Sequence, residues 1–150
     1  MTLISANDRF EILDLCSRYN RCIDNGEEDA LMDCWVKSGL SFESPKGKFT
    51  NWDQLRKYFS KELHGGSLSG KRQVLFNVVV REGADVDHAF VDSEYIVIDT
   101  QTLMVIETGA FKNDKVIRTS MGWSFQSRTQ KVDKSLQPKT QPQPAEVHPN

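Results

Sequence analysis

One carboxylate stands out as a residue that could transfer a proton. Asp24 ends a strongly helical stretch, directly before Asn25-Gly26. If the fold buries this carboxyl, desolvation raises its pKa, which is how a weak base is tuned for proton abstraction. Otherwise it is a helix-end carboxylate in water, a placement that the helix dipole disfavours by about 0.3–1 kcal/mol. The sequence leaves both interpretations open.

Three polar residues that interrupt apolar strands are candidate ligand contacts. Gln73 could orient a ligand through its amide, or it could be bonded locally within the sheet. Asn77 lies inside an apolar run, so its side chain must be paired, face a cavity or stabilise a bulge. Glu107 alternates with Leu103 and Val105, so it is a second acid in the pocket if that face lines one, and a rim charge if it does not.

Four aromatic residues at core spacings could also contact a ligand. Ligand pockets are mostly apolar with few polar anchors, so these rings would line a pocket where one exists and form plain core elsewhere. They are Tyr19, Trp35, Tyr58 and Tyr95. The hydroxyl of Tyr19 or Tyr58 could donate a hydrogen bond to a ligand oxygen.

Composition argues against several classes of protein. The net charge of -2, without long basic clusters, disfavours a nucleic-acid partner. Three cysteines without a CxxC pair and three scattered histidines predict no disulfide framework, no metal site and a reducing, cytoplasmic location. No signal peptide is visible, and no apolar run approaches the ~20 residues of a membrane span. No phosphate-loop or dinucleotide motif occurs, so we expect neither a cofactor nor a membrane partner.

The first half of the chain is predicted to be mainly helical. Ser5 and Asp8 form a capping box that opens a long helix, and Asn25-Gly26 ends it. A short helix over residues 27–35 follows, then a hairpin, then a third helix that a second capping box opens at residues 50–53.

The second half is predicted to be a sheet. Strands over 73–81, 89–99, 103–111 and 123–132 indicate an antiparallel meander, with Lys112-Asn113-Asp114 as a break between two of them. Helices grouped before a sheet indicate an α+β fold with the helices on one face, where a cone-shaped apolar cavity can form. We expect a domain over residues 1–133 and a proline-rich, disordered tail over residues 134–150.

Several groups of residues occur in an order that is itself informative. They are Arg18-Tyr19 with Ile23-Asp24, Ala30-Leu31 with Trp35, Gly47, Arg72 with Asn77, Gly109-Ala110-Phe111 with Asp114, and Gly122-Trp123-Ser124-Phe125 with Arg128. Together they resemble SnoaL-like proteins of the nuclear-transport-factor-2-like (cystatin-like) superfamily, over roughly residues 6 to 133.

This resemblance implies a fold and a pocket. The fold is a cone-shaped barrel, in which a strongly curved, mostly antiparallel sheet wraps around a long N-terminal helix and two further helices are added. It also implies a central hydrophobic pocket and frequent dimers across the open sheet face. In the scytalone dehydratase branch, an aspartate at the end of the first helix pairs with histidines from the sheet. Asp24 matches that aspartate, Gln73 stands where a histidine is expected, and the strand around Tyr95 carries none.

The superfamily implies no single function, because it also contains ketosteroid isomerase, polyketide cyclases and dioxygenase small subunits. The first hypothesis is a cofactor-free lyase (dehydratase) or isomerase that acts on an aromatic, polyketide-like or steroid-like substrate, with Asp24 as base. The second is a non-catalytic ligand-binding module, which the missing histidines favour. The third is a structural subunit of an oligomeric oxygenase. The expected partners are a small hydrophobic or aromatic ligand and further copies of the chain, in a homodimer or higher homo-oligomer.

Overall fold

The computed structural model describes residues 4–136, and it has the expected α+β fold. The helices are α1 (Ala6–Asn25), α2 (Glu28–Met32) and α3 (Trp52–Leu63). The strands are β1 (Ser41–Ser44), β2 (Gly47–Phe49), β3 (Lys71–Glu82), β4 (His88–Asp99), β5 (Val105–Thr119) and β6 (Gly122–Ser135). No helix in this part of the chain is both long and apolar enough to cross a membrane.

The six strands form one sheet in the order β2-β1-β6-β5-β4-β3. All neighbours are antiparallel except β1 and β6, which are parallel. The sheet curls without closing, so one face is concave. Along β4 every second side chain is buried on that concave face, because successive residues of a strand point to opposite sides. These side chains belong to Ala89, Val91, Ser93, Tyr95 and Val97.

α1 begins and ends at the capping residues that the sequence predicts. The side chain of Ser5 accepts from the Asp8 N–H, and Asp8 accepts from the Ser5 N–H, both at 3.0 Å. Asp8 also pairs with Arg118 at 2.9 Å, and this guanidinium is the main reason that the pKa of Asp8 lies below its ordinary value. The helix ends at Gly26, whose φ of 68° is the left-handed conformation that glycine adopts readily.

α1 lies along β3 and runs antiparallel to it. Near the start of the helix, Arg9 Nη1 donates to the Val80 carbonyl oxygen at 2.9 Å. Near its end, Asp24 Oδ1 accepts from the Gln73 N–H at 3.0 Å. The two contacts fix the helix at both ends of the strand, so Asp24 lies where β3 begins.

Two predicted boundaries in the sheet were wrong. Lys112-Asn113-Asp114 is not a turn between strands, because β5 runs through it. The register with β6 shifts between Phe111 and Lys115, and Asn113 has a φ of 57°. A bulge of this kind inserts extra residues without ending the strand. At the other end, β6 includes Lys134 and Ser135, which we assigned to the tail. Residues 137–150 of that tail lie outside the described residues.

α2 is shorter than predicted and ends at Met32. The chain then turns, and Trp35 forms an isolated parallel bridge with Phe125 of β6. This contact between distant parts of the chain draws Trp35 out of the helix and into the core, where the residue is only 1% exposed.

Aromatic rings fill the inner part of the concave face. Tyr19 of α1 packs edge-on against Phe125, with ring centroids 5.3 Å apart, and against Trp35 at 6.1 Å. Beside these rings lies a buried ion pair. Arg128 Nε and Nη2 both contact Asp114 Oδ2, at 3.0 and 2.9 Å. Along this part of the concave face the interior is therefore packed core rather than the cavity that the sequence suggested.

Candidate functional site

The register of the sheet brings three of the predicted site residues to one end of the concave face. Gln73 pairs with Val97, which pairs in turn with Glu107. In the next row Tyr95 is opposite Gly109. Directly paired residues of antiparallel strands share a face. Gln73, Tyr95 and Glu107 therefore all face the concave side, and a role of Glu107 as a second acid in a pocket stays a prediction.

Three side chains at this end are joined by hydrogen bonds, and we call them the Tyr95 cluster: Tyr95, Glu107 and Gln130. Tyr95 Oη donates to Glu107 Oε2 at 2.9 Å, and Gln130 Nε2 donates to Tyr95 Oη at 2.7 Å. Burial is the main cause that raises the pKa of Tyr95, and the negative charge of Glu107 adds to it. The tyrosine therefore stays protonated at neutral pH and can serve as a hydrogen-bond donor.

Gly109 lets the Tyr95 ring lie close to the sheet. A Cβ at position 109 would be 2.5 Å from Tyr95 Oη and closer still to the backbone oxygen of Lys131. Real Cβ atoms do not approach other atoms so closely, so only glycine fits between the tyrosine and β6. The close packing of Tyr95 against β5 and β6 thus explains why the Gly109-Ala110-Phe111 group begins with glycine.

Asp24 is a half-buried acid, not a carboxylate in bulk water. Desolvation is the largest effect on its pKa and raises it, while the bond from the Gln73 N–H and the charge of Arg72 act in the opposite direction. Oδ1 takes the Gln73 bond at 3.0 Å, and no residue within 4–136 donates a hydrogen bond to Oδ2. A carboxyl with a raised pKa and one uncommitted oxygen is suited to proton transfer.

Tyr58 of α3 lies on the other side of this end. Its ring stacks on Phe49, with centroids 4.5 Å apart. Burial raises the pKa of Tyr58 to about 12, and the charges of Glu62 and Glu107 contribute to the rise. Because Glu107 acts on Tyr58, the Tyr58 hydroxyl lies within electrostatic reach of the Tyr95 cluster.

The structure places the other predicted contacts elsewhere. Tyr19 and Trp35 are 2% and 1% exposed, and they belong to the packed core. Asn77 is exposed, and its Nδ2 donates to Glu94 Oε2 at 2.7 Å. It has a φ of 51° at a register shift between Phe76 and Val79. Of the roles considered for Asn77, a locally paired side chain and a bulge residue both fit, and a ligand contact on the concave face does not.

Gln130 is the member of the cluster that sequence reasoning missed. It follows Arg128 by two residues on β6 and pairs with Phe111 of β5. Alternation places it on the same face as Arg128, but a glutamine in a half-exposed strand carries no signal of its own. Its position beside Tyr95 follows only from the pairing register of β6 with β5.

A surface groove of about 510 Å³ lies between α2 and α3, and its lining is charged. The lining residues are Glu28, Asp53, Arg56, Lys57, Ser60 and Lys61. Arg56 is already paired with Glu28 at 3.3 Å and also contacts Asp29. None of these lining residues has an apolar side chain of the kind typical of small-molecule sites, so we do not place the site there. Within 4–136 no group of three or more His, Cys, Asp or Glu residues could hold a metal ion.

Comparisons with known proteins bear on this geometry. The sequence model of the SnoaL-like domain family matches residues 5–129. No curated protein matches the chain. A Nostoc punctiforme protein of unknown function with a cystatin-like fold is 21% identical, with a TM-score of 0.79 over 88% of this chain and 96% of that one.

Two further solved structures are similar. A candidate scytalone dehydratase from Novosphingobium aromaticivorans is 17% identical, with a TM-score of 0.68 over 83% of each chain. ActVI-ORFA from Streptomyces coelicolor is 12% identical, with a TM-score of 0.71 over 83% of this chain and 97% of that one. At such low sequence identities, these similarities show a shared fold and do not show a shared function.

Proposed function

This chain belongs to the SnoaL-like domain family, and on that premise we propose that it binds a small, largely apolar molecule at the Tyr95 cluster and moves a proton on it. The observation that carries the proposal is Asp24: a half-buried carboxyl with a raised pKa, beside Gln73 on the end of the sheet that holds the cluster. The reaction class is a cofactor-free elimination or isomerisation, and the substrate class is aromatic, polyketide-like or steroid-like.

The proposed chemistry uses two groups. Asp24 takes a proton from a carbon next to a carbonyl group, and the Tyr95 hydroxyl turns its one hydrogen from Glu107 to the carbonyl oxygen on which negative charge develops. The protonated Asp24 then returns the proton either to another carbon of the enolate, which completes an isomerisation, or to a departing hydroxide, which leaves as water in an elimination. A base and a donor held on rigid elements can support such a step without a metal. Gln130 would hold the Tyr95 hydroxyl in place, since it donates to the same oxygen at 2.7 Å.

A non-catalytic binding module is the second candidate. Asp24 Oδ1 already accepts from the Gln73 N–H, which is also what a purely structural tie between α1 and β3 would show. Gln73 cannot exchange a proton at neutral pH. The third candidate, a structural subunit of an oxygenase, is favoured by the aromatic rings that fill the inner concave face.

Replacing Asp24 by asparagine separates the first two candidates. A thermal-shift screen with aromatic ketones and phenols first identifies a ligand, because a bound ligand raises apparent stability. The amide oxygen of the new side chain can still accept from the Gln73 N–H, so Asp24→Asn is expected to fold and to bind. We expect turnover to fall at least ~10²-fold, the usual contribution of a positioned base.

The pH dependence gives a second readout for Asp24. Since its pKa is raised, the wild-type rate is expected to increase with pH through a range above the ordinary aspartate value, as the carboxyl loses its proton. Asp24→Asn should lack that increase. Asp14→Asn, at a site that is 72% exposed on the same helix, is the control and should behave as wild type. Undiminished turnover in Asp24→Asn would rule out Asp24 as the catalytic base. If the wild type binds the ligand and releases no product, the non-catalytic binding module is favoured.

We also propose that two copies associate through the convex face of the sheet. Val74 and Phe76 of β3 are 41% and 40% exposed there, which is unusual for large apolar side chains next to each other on one face. We expect sedimentation equilibrium to give a dimer for the wild type and a monomer for Phe76→Glu. Met121→Glu, at a turn residue that is 93% exposed, is the control and should stay dimeric. A monomeric wild type would contradict the proposal.

A further inference from the structure

α1 carries a buried polar side chain that the packing of the fold does not explain. Asn20 is 7% exposed, and its Nδ2 atom is enclosed without a hydrogen-bond partner among residues 4–136. An amide that gives up its water without gaining a bond lowers the stability of a protein. Native proteins rarely keep such a donor, so this one indicates an acceptor that comes from outside the chain.

Helix geometry gives the direction in which this side chain points. Arg9 and Asp24, near the two ends of α1, both form hydrogen bonds to β3. At 3.6 residues per turn, Asn20 lies about 20° around the helix axis from Arg9 and about 40° from Asp24, between the two. The Asn20 side chain therefore leaves the helix on the side that contacts β3.

The same two contacts give the level of Asn20 along the sheet. Between the Arg9 contact and the Asp24 contact, α1 rises about 22 Å and β3 covers about 23 Å, so helix and strand advance together. Asn20 precedes Asp24 by about 6 Å along the helix, which places it opposite Leu75. Leu75 pairs with Tyr95 on the neighbouring strand. Asn20 is therefore on the level of the Tyr95 cluster.

A contact with β6 agrees with this level. The Arg128 guanidinium lies 4.6 Å from the centroid of the Tyr19 ring. β6 runs in the same direction as α1, because three antiparallel pairings separate it from β3. Gln130 is the next residue of β6 on the face of Arg128, and it belongs to the Tyr95 cluster. Asn20, which follows Tyr19, thus lies where β6 passes from the buried ion pair to the cluster.

Asn20 and Asp24 are one helical turn apart, yet they do not bond to each other. Amide and carboxyl side chains at this spacing can form a hydrogen bond. Asp24 instead accepts the Gln73 N–H on Oδ1, and within 4–136 no residue bonds its Oδ2 atom or Asn20 Nδ2. A hydrogen-bond donor and a base therefore stay available side by side on one face of α1.

We propose that Asn20 Nδ2 is the second hydrogen-bond donor to the carbonyl oxygen of the ligand, beside the Tyr95 hydroxyl. An enolate oxygen accepts two hydrogen bonds, and two donors held by a helix and a sheet stabilise the charge that develops when Asp24 removes the neighbouring proton. Asn20 keeps both of its amide hydrogens throughout and does not replace the base. The assignment rests on the proposed function and narrows its ligands to carbonyl compounds.

Two compounds that differ only in the carbonyl group test the assignment. α-Tetralone is an aromatic ketone with hydrogens on the carbon next to its carbonyl group, and tetralin has a methylene group in place of that carbonyl. Asn20→Leu is expected to reduce the preference for α-tetralone over tetralin, measured as the ratio of their Kd values, about ten-fold, as for the loss of one hydrogen bond. Asn20→Ala changes the side-chain volume in the opposite direction and should reduce the ratio equally. Asn7→Leu, at an exposed position of α1, is the control and should keep the wild-type ratio.

Proton transfer to the same ketone gives a second readout. In deuterium oxide, removal and return of a proton next to the carbonyl group replaces hydrogen by deuterium, which proton NMR detects. At saturating α-tetralone, Asn20→Leu is expected to slow this exchange at least ~10²-fold, as for the loss of one donor to a developing oxyanion. An exchange rate equal to that of the wild type would overturn the assignment.

The outcomes separate the assignment of Asn20 from the proposed function. If the wild type binds α-tetralone and the Kd ratio is unchanged in both Asn20 variants, Asn20 does not contact the carbonyl oxygen. The assignment is then wrong, while the proposed function stands. If the wild type binds neither α-tetralone nor any other aromatic ketone of the screen, the proposed function fails and the assignment fails with it.

Discussion

Asp114→Ala is expected to lower the free energy of unfolding by about 3–5 kcal/mol, because it leaves a charged arginine buried without a partner. The side chains of Arg128 and Asp114 are 2% and 0% exposed. The Arg128 guanidinium lies 3.9 Å from the centroid of the Phe111 ring and 4.3 Å from that of Phe125. Because both side chains are buried away from bulk water, urea unfolding should show most of this cost.

A matched pair of variants tests this explanation. Asp114→Leu combined with Arg128→Met removes both charges and keeps similar volume, so it is expected to recover most of the stability, as buried ion pairs often allow. Asp14→Ala breaks an exposed pair with Arg18, whose side chain is 51% exposed, and should cost under ~1 kcal/mol. If Asp114→Ala cost no more than Asp14→Ala, the pair would not be isolated from solvent.

The elements that the sequence predicted well are those specified by neighbouring residues. The capping box of Ser5 and Asp8 and the Asn25-Gly26 stop act within one helical turn, and α1 begins and ends where they indicate. The same holds for the turn between β1 and β2. Such signals need no knowledge of distant contacts.

Bulges limited the prediction of the sheet. A bulge inserts a residue into a strand of period two and turns the residues beyond it to the other face. Asn77 and Asn113 both have positive φ at register shifts, at 51° and 57°. The amino-acid composition does not indicate either register shift. The sequence therefore could not predict which face of the sheet Asn77 occupies, or that β5 continues past Asn113.

The candidate site was predictable in part. The resemblance pointed to Asp24 and Gln73, and the structure joins them by a hydrogen bond. The contacts of Tyr95 with Glu107 and with Gln130 depend on the cross-strand register. They join residues that are 12 and 35 positions apart in the sequence. The partnership of Asp114 with Arg128 is similarly set by pairing of β5 with β6, although both residues stood out in the sequence.

Gly109→Ala is expected to destabilise the protein by about 3 kcal/mol, at the upper end of the usual cost of overpacking. The added methyl group would meet both the Tyr95 hydroxyl and the backbone oxygen of Lys131. The side chain can move, but the backbone of β6 is held by its ladder with β5. We therefore expect Tyr95 to be displaced from Glu107 and Gln130, so ligand affinity should fall together with stability.

Two further variants separate the contributions. Gly109→Ala combined with Tyr95→Ala removes the clash with the ring and retains the one with Lys131, so relative to Tyr95→Ala alone it should show only part of the cost. Gly26→Ala is the control for backbone strain: it has a φ of 68° with nothing within 4 Å, and it should cost about 1–2 kcal/mol. Urea unfolding of the four variants measures each part. A different result would be that Gly109→Ala lowers the free energy of unfolding equally in the wild type and in Tyr95→Ala. That result would show that the methyl group clashes with β6 alone, and Gly109 would then have no role in positioning Tyr95.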